Sequence, residues 1–242
     1  QEHGVDATPY HAGLEHDTRH AALSLFLERE RPVLVATVAF GMGVDRGDVG
    51  LVLHLDLPST PEGYLQESGR AGRDGAPAQC VVLFSPGDRT SLGWAMQASL
   101  GKTPSLDDRR RLDLAQQQLR RMEAVAEGEI CREQALLLAV GELVDPCGRC
   151  DRCQGALRRR NWSSQVETLL NHIAEQDGTD MRRLGEYLAL HEPGRGERWT
   201  WLARRLVQEE LIRESNDGRQ YLTLQESGRR FLDAPWPLDY AA

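Results

Sequence analysis

The chain has 242 residues, 40% of them hydrophobic, and a formal net charge of −8 at pH 7. That length suggests more than one domain, and the excess of carboxylates argues against indiscriminate phosphate binding, which needs Lys and Arg. The longest apolar stretches, residues 51–57 and 135–140, are too short to cross a bilayer. No basic-then-apolar leader opens the sequence, so the expectation is a cytoplasmic protein with no membrane partner.

Taken in chain order, residues 7–10 (Ala-Thr-Pro-Tyr) read as a short extended entry. Residues 17–30 carry Ala21, Ala22, Leu25 and Phe26 at helical spacing, with Asp17 or Thr18 as the N-cap. Three apolar β-rich runs follow at 33–38, 49–55 and 80–84. Near-continuous apolar strands separated by helices predict a parallel sheet covered on both faces, so residues 1–100 read as an α/β domain. Near Pro86 the character changes. Residues 106–127 form a charged helix with Leu112, Leu119 and Met122 on one face, and residues 129–140 form a second. A loop rich in Cys, Gly, Asp and Arg closes on Arg158-Arg159-Arg160, which marks the end of a helical module at 101–160. In residues 161–242, helices over 168–175, 181–190 and 199–210 precede strands at 211–214 and 220–224. The Asn216-Asp217-Gly218 turn between those strands is a hairpin signal, and three helices with a two-stranded wing predict a winged helix.

Four of the five cysteines, Cys131, Cys147, Cys150 and Cys153, fall within one short stretch. An odd count with tight clustering points to metal and away from disulfides. Four thiolates suit one tetrahedral Zn²⁺ with no open position, so the site is expected to be structural, stapling a loop to the helix start at Cys131. A redox Cys-x-x-Cys is the competing reading, and it accounts for only two of the sulfurs. Cys80, inside an apolar strand, reads as a core residue.

The stretch Gln66-Glu67-Ser68-Gly69-Arg70-Ala71-Gly72-Arg73-Asp74-Gly75 places two arginines near one face of a helical turn, flanked by glycines. Such arginines suit stabilisation of charge on a transferring phosphoryl group. On spacing alone, a glycine-rich surface loop fits as well. Upstream stand Tyr10-His11-Ala12-Gly13-Leu14, the run Val35-Ala36-Thr37-Val38-Ala39-Phe40-Gly41-Met42-Gly43-Val44-Asp45, and His54-Leu55-Asp56-Leu57-Pro58. In this order, over residues 5–84, the motifs resemble the RecA-like second motor domain of superfamily 2 helicases. Their wording is similar to the RecQ family, whereas DEAD-box RNA helicases carry a His-Arg-x-Gly-Arg-x-x-Arg form of the last motif. The cysteine pattern, with Cys131-Arg132 and Pro146-Cys147-Gly148, resembles the RecQ zinc module.

The resemblance implies roles residue by residue. Arg73 matches the arginine finger towards the ATP phosphates, and Arg70 the arginine that couples nucleotide state to domain closure. Gln66 and Asp74 orient them. Gly41, Gly43 and Asp45 shape the loop joining DNA contact to the ATP cleft, and Thr37 touches the DNA backbone. His11 lies near the DNA path, with an ordinary turn histidine as the alternative. Among the arginine clusters most runs are solvated helix faces. The two triplets, Arg109-Arg110-Arg111 and Arg158-Arg159-Arg160, are the better phosphate candidates, together with Arg204 and Arg205 on the third winged-helix helix. Residues 161–242 hold ten Arg against fourteen Asp plus Glu, and the wing carries no aromatic wedge, so a grip on duplex is expected to be backbone-directed.

No Gly-x-x-x-x-Gly-Lys-Ser/Thr sequence is present, nor the Mg²⁺-binding carboxylate motif of a first motor domain. The chain begins at Gln1 without Met, and the strand and helix that open a second motor domain are not seen. The expectation is a piece of a longer protein: ATP and Mg²⁺ require the missing first motor domain, and this chain alone does not hydrolyse ATP. A sheet short of a strand leaves apolar faces uncovered. The leading reading is the C-terminal part of an ATP-dependent 3′-to-5′ DNA helicase of repair and recombination, acting on single strands and duplex junctions. Single-strand-binding or repair proteins as partners are not specified by the sequence. The alternative is a non-catalytic zinc and winged-helix DNA-binding scaffold; an RNA helicase is disfavoured by the form of the last motif.

Overall fold

The computed structural model describes residues 5–30, 32–37, 46–101, 104–155, 158–190, 196–215 and 220–241. They divide into two compact units, residues 1–58 with 62–83, and residues 59–61 with 84–242.

The first unit runs β1 (Ala7–Tyr10), α1 (His16–Glu28), β2 (Val33–Ala36), β3 (Leu51–His54), α2 (Pro61–Ser68) and β4 (Gln79–Val82). A helix between paired strands forces parallel pairing: Ala7 stands opposite Val33 and Tyr10 opposite Ala36, while Leu51 stands opposite Gln79 and His54 opposite Val82. The expected N-cap at Asp17 or Thr18 is not used. The helix starts at His16 with Glu15 as its cap residue, and Asp17 sits in the first turn, where its charge faces the positive end of the helix dipole. The other end of α1 is closed by Arg46, whose guanidinium donates to the carbonyls of Phe26 and Arg29, pairs with Asp48 at 2.6 Å and lies 5.4 Å over the Phe26 ring. The expectation of a sheet covered on both faces is corrected. Val33, Val35, Leu51 and Leu53 are 44%, 55%, 53% and 47% exposed, while Leu34 and Val52 between them are half-buried. Alternation of this kind is what a pleated strand shows when only one face is packed.

The second unit continues with α3 (Pro86–Ala98), α4 (Leu106–Glu127), α5 (Arg132–Ala139), α6 (Asp151–Gln154), β5 (Arg159–Asn161), α7 (Ser163–Glu175), β6 (Thr179–Asp180), α8 (Met181–Ala189), α9 (Gly196–Gln208), β7 (Ile212–Glu214), β8 (Tyr221–Leu224), α10 (Glu226–Asp233) and β9 (Asp239–Ala241). Reciprocal capping starts both long helices: Ser85 with Asp88 on α3, and Ser105 with Asp108 on α4. The second predicted helix begins at Arg132, three residues late, because Cys131 is its cap residue. Conversely α7 begins at Ser163, ahead of the predicted 168, because Trp162 and Val166 are already buried. Strands β6, β8 and β7 form a three-stranded antiparallel sheet in that order, with Ile212 opposite Leu224. The predicted turn at Asn216-Asp217-Gly218 lies outside the described residues. Leu169, Leu170, Ile173, Leu184, Leu202, Leu206, Leu222 and Phe231 are fully shielded in the core of this C-terminal part. Residues 59–61 with 84–242 form the larger compact unit. Within it, carboxylates of α4 and the residues after it pair with arginines of α9 and β5.

Candidate functional site

The arginine-bearing loop leaves the C-terminal end of α2 and returns to β4. Its backbone is fastened to the entry of β3: the Gly72 amide donates to the Val49 carbonyl at 3.0 Å and the Asp74 amide to the Gly47 carbonyl at 3.2 Å. Gly72 has φ +62°, and a Cβ there would stand 2.9 Å from the Ala76 carbonyl oxygen, so the turn between the two arginines accepts only glycine without strain. Arg70 is half-buried and Arg73 exposed, with the Arg73 Nε donating to the Gly69 carbonyl at 3.3 Å. Gln66 is exposed on α2, and the Asp74 carboxylate accepts from the Ala76 amide at 2.9 Å, which closes the turn.

Sequence reasoning missed how α2 is held. The His54 Nε2 on β3 meets the Glu67 carboxylate at 2.7 Å, and the His54 ring lies 5.1 Å from the buried Tyr64 ring. Burial, with Cys80 nearby, pushes the Tyr64 hydroxyl up to about 12. On β4, Cys80 is exposed and not a core residue; its thiol donates to the Ser68 carbonyl at 3.5 Å. Two strands therefore fix the helix that delivers Arg70 and Arg73. Glu67 stands inside the motif, but its partner lies 13 residues away, and no local spacing joins the two.

His11 and Thr37 come together. Tyr10 pairs with Ala36, and the Thr37 amide donates to the Tyr10 carbonyl at 3.2 Å, so both residues follow the same end of the β1–β2 ladder, each exposed. Gly41, Gly43 and Asp45 lie outside the described residues.

The four cysteine sulfurs Cys131, Cys147, Cys150 and Cys153 all lie within 4.8 Å of one another, and Cys131 and Cys150 are 3.9 Å apart. A tetrahedral zinc with Zn–S near 2.3 Å has an edge of about 3.8 Å, so the residues fit the ion. Cys131 caps α5, Cys150 caps α6, and Gly148, at φ +71°, turns the chain between Cys147 and Cys150. Burial opposes ionisation of Cys131 and Cys150, but the backbone amides of Cys147 and Arg132 more than offset it; Cys131 lies below its usual range and Cys150 falls to about 6. Burial and the neighbouring Cys150 sulfur push Cys153 up to about 12. Four thiolates this close repel one another, and a divalent cation offsets that by neutralising them together. Arg132 braces the cluster, pairing with Asp151 at 2.9 Å and donating to the Val125 and Ala126 carbonyls at the end of α4.

Arg109 and Arg110 are exposed on the first turns of α4. Arg204 and Arg205 are not placed to face phosphates. Arg204, 9% exposed, pairs with Glu127 at 2.6 Å and Glu123 at 3.6 Å; Arg205 pairs with Glu129 at 3.3 Å and lies 5.1 Å over the Tyr240 ring. Their charge is neutralised inside the protein. Among the described residues no helix is long and apolar enough to cross a membrane.

Two family models match in order along the chain: the helicase conserved C-terminal domain over residues 1–75 and the RecQ zinc-binding domain over residues 86–154. The chain is 36% identical over 170 residues to the ATP-dependent DNA helicase RecQ of Bacillus subtilis, covering 70% of this chain and 28% of that protein. It is 40% identical over 151 residues to the protein of the same name from Haemophilus influenzae, covering 62% and 23%. It is 36% identical over 163 residues to the ATP-dependent DNA helicase Q5 of Rattus norvegicus, covering 65% and 16%. The chain therefore spans less than a third of the length of each of these relatives. With the motor-domain motifs and the four-cysteine cluster in the order both models require, the chain belongs to the RecQ family of helicases.

Proposed function

We propose that the chain is the C-terminal part of an ATP-dependent 3′-to-5′ DNA helicase that unwinds duplex DNA in repair and recombination. The observation that carries this is the loop from Gln66 to Gly75, which has the RecQ wording, is fastened to the entry of β3, and presents Arg73 outward. Arg73 acts as the arginine finger on the ATP phosphates, and Arg70, half-buried behind it, transmits nucleotide state to the first unit. Gln66 and Asp74 shape this loop, the latter by closing its turn. ATP and Mg²⁺ are held by the first motor domain of the whole protein, so the isolated chain does not turn over ATP.

His11 and Thr37, at one end of β1 and β2, contact the DNA backbone, and Gly43 and Asp45 complete the loop between that contact and the ATP side. One structural zinc on Cys131, Cys147, Cys150 and Cys153 holds α5 to the α6 loop. Residues 1–100, 101–160 and 161–242 then serve as partial motor domain, zinc module and winged helix. The winged helix comprises α7, α8, α9 and the β7–β8 pair. Because Arg204 and Arg205 are engaged internally, phosphate contact falls to exposed arginines such as Arg109 and Arg110. The place of action is the cytoplasm, at the nucleoid.

The test is strand displacement by the full-length protein on 3′-tailed DNA and RNA duplexes. ATP-dependent displacement of DNA alone is expected. Displacement of RNA alone, or DNA binding without any displacement or ATP turnover, overturns the reading, the latter in favour of a scaffold.

A further inference from the structure

Between the end of α4 and the first cysteine of the cluster, Cys131, lie three residues: Gly128, Glu129 and Ile130. The stretch is closed at both ends. The Gly128 amide donates to the Ala124 carbonyl at 2.8 Å, and the Arg132 guanidinium reaches back to the carbonyls of Val125 and, at 2.8 Å, Ala126. Arg132 also faces the cysteines. Its amide donates to the Cys150 Sγ at 3.4 Å, and its guanidinium pairs with Asp151, the residue after Cys150, at 2.9 Å. Two peptide units separate Glu129 from Cys131, so their Cα atoms lie within about 7 Å of each other. The place of Cys131 therefore governs where the Glu129 carboxylate stands.

That carboxylate is 7% exposed and is shared by three partners from later in the chain. Its Oε2 pairs with the Arg159 Nε of β5 at 3.1 Å. Its Oε1 accepts from the Ala241 amide of β9 at 2.8 Å and meets the Arg205 Nη2 of α9 at 3.3 Å. Arg159 and Ala241 stand opposite each other in the β5–β9 ladder, at the end where β5 begins and β9 stops. Among the described residues this ladder is two-stranded and three residues long. Two strands alone are marginal in water, so such a pair depends on what holds it from outside. A single buried carboxylate holds both strands here, and moving it away from its donors would leave its desolvation uncompensated.

We propose that Glu129 is the positioning residue through which zinc at the four cysteines and the β5–β9 pair stabilise each other. Metal held at Cys131 sets the carboxylate, and the carboxylate sets the two strands. The proposal rests on the zinc reading above. Coupling of this kind is reciprocal: the factor by which metal favours strand pairing is the factor by which pairing favours metal. A carboxylate that only propped the strands would leave zinc affinity unmoved.

The test uses the full-length protein, first analysed for one zinc per chain. Zinc affinity is measured by competition with a chromophoric chelator in wild type, Glu129→Gln and Arg159→Gln, each checked for native circular dichroism. Arg159→Gln alters a side chain that is 61% exposed, and it decides the matter should Glu129→Gln not fold. Amide exchange of wild type is followed by mass spectrometry with zinc bound and after its removal. Zinc affinity is expected to fall about tenfold in Glu129→Gln and about threefold in Arg159→Gln. Zinc removal is expected to expose residues 159–161 and 239–241 to exchange, while the core around Leu169 and Leu202 stays protected. Unchanged zinc affinity in the folded variants, or strands that stay protected without zinc, overturns the proposal and leaves the zinc reading intact. Loss of protection throughout the core also overturns it, since the coupling then runs through the whole fold and not through Glu129. A protein that carries no zinc overturns the zinc reading and the proposal with it.

Discussion

The carboxylate of Glu123 lies between two guanidinium groups, Arg89 at 3.0 Å and Arg204 at 3.6 Å, yet burial raises its pKa to about 7. A carboxylate whose folded pKa is raised above its unfolded value contributes stability that is complete below the unfolded value, near 4.5, and is lost as pH rises through 7. Glu123→Gln removes this dependence. The stability advantage of wild type over the variant is expected to fall by about 3 kcal/mol between pH 4.5 and pH 7.5, read from urea midpoints across that range. An advantage that holds constant or grows with pH contradicts the burial account. The same cluster shows what a sequence withholds at this scale. Arg204 and Arg205 look like a phosphate-facing pair on a helix, but Glu127 lies 77 residues before Arg204, and no helical spacing brings the two together. Arg204→Ala is therefore expected to lower stability by about 3–5 kcal/mol by leaving Glu127 buried and unpaired, with the salt dependence of DNA binding unchanged. A stable variant with a flatter salt slope would return Arg204 to the DNA surface. Arg109→Ala with Arg110→Ala is expected to do the opposite, flattening the slope of log affinity against log salt by up to about 2 while leaving stability within about 0.5 kcal/mol.

Among the elements, α4 was legible from the apolar spacing of Leu112, Leu119 and Met122, and the cysteine spacing set Cys131 at the start of α5. The capping boxes at Ser85 and Ser105, and the helices α3 and α6, were not read from the sequence. Strands β6 and β9 were not legible, because two or three residues hold no periodicity; they exist through partners, Thr179 opposite Leu222 and Arg160 opposite Tyr240. The apolar runs of the first unit were legible as strands, but not the exposure of one face, since an all-apolar strand reads the same whether one face or two are packed. Elemental analysis is expected to give one zinc per chain, and Cys150→Ser to lose it together with amide-exchange protection across residues 131–153, while the apolar core around Leu169 and Leu202 keeps its own. A metal-free chain with full protection there contradicts a structural zinc.

Over the whole molecule, the two units carry different parts of the account. The first holds Arg70, Arg73, His11 and Thr37 on a framework of parallel strands, with α2 tied down by His54 and Cys80. In the second, residues 84–242 form one compact unit in which carboxylates at and just after the end of α4 pair with Arg204 and Arg205 of α9 and with Arg159 of β5. The family was legible because its motifs are local and ordered. That pairing was not, because its partners are distant in sequence. The central claim is that Arg73 completes an ATP site supplied by the rest of the helicase. DNA-stimulated ATP turnover of the full-length protein carrying Arg73→Ala tests it most directly. The account predicts a loss of about 10³-fold or more with DNA affinity retained; turnover close to that of wild type would contradict it.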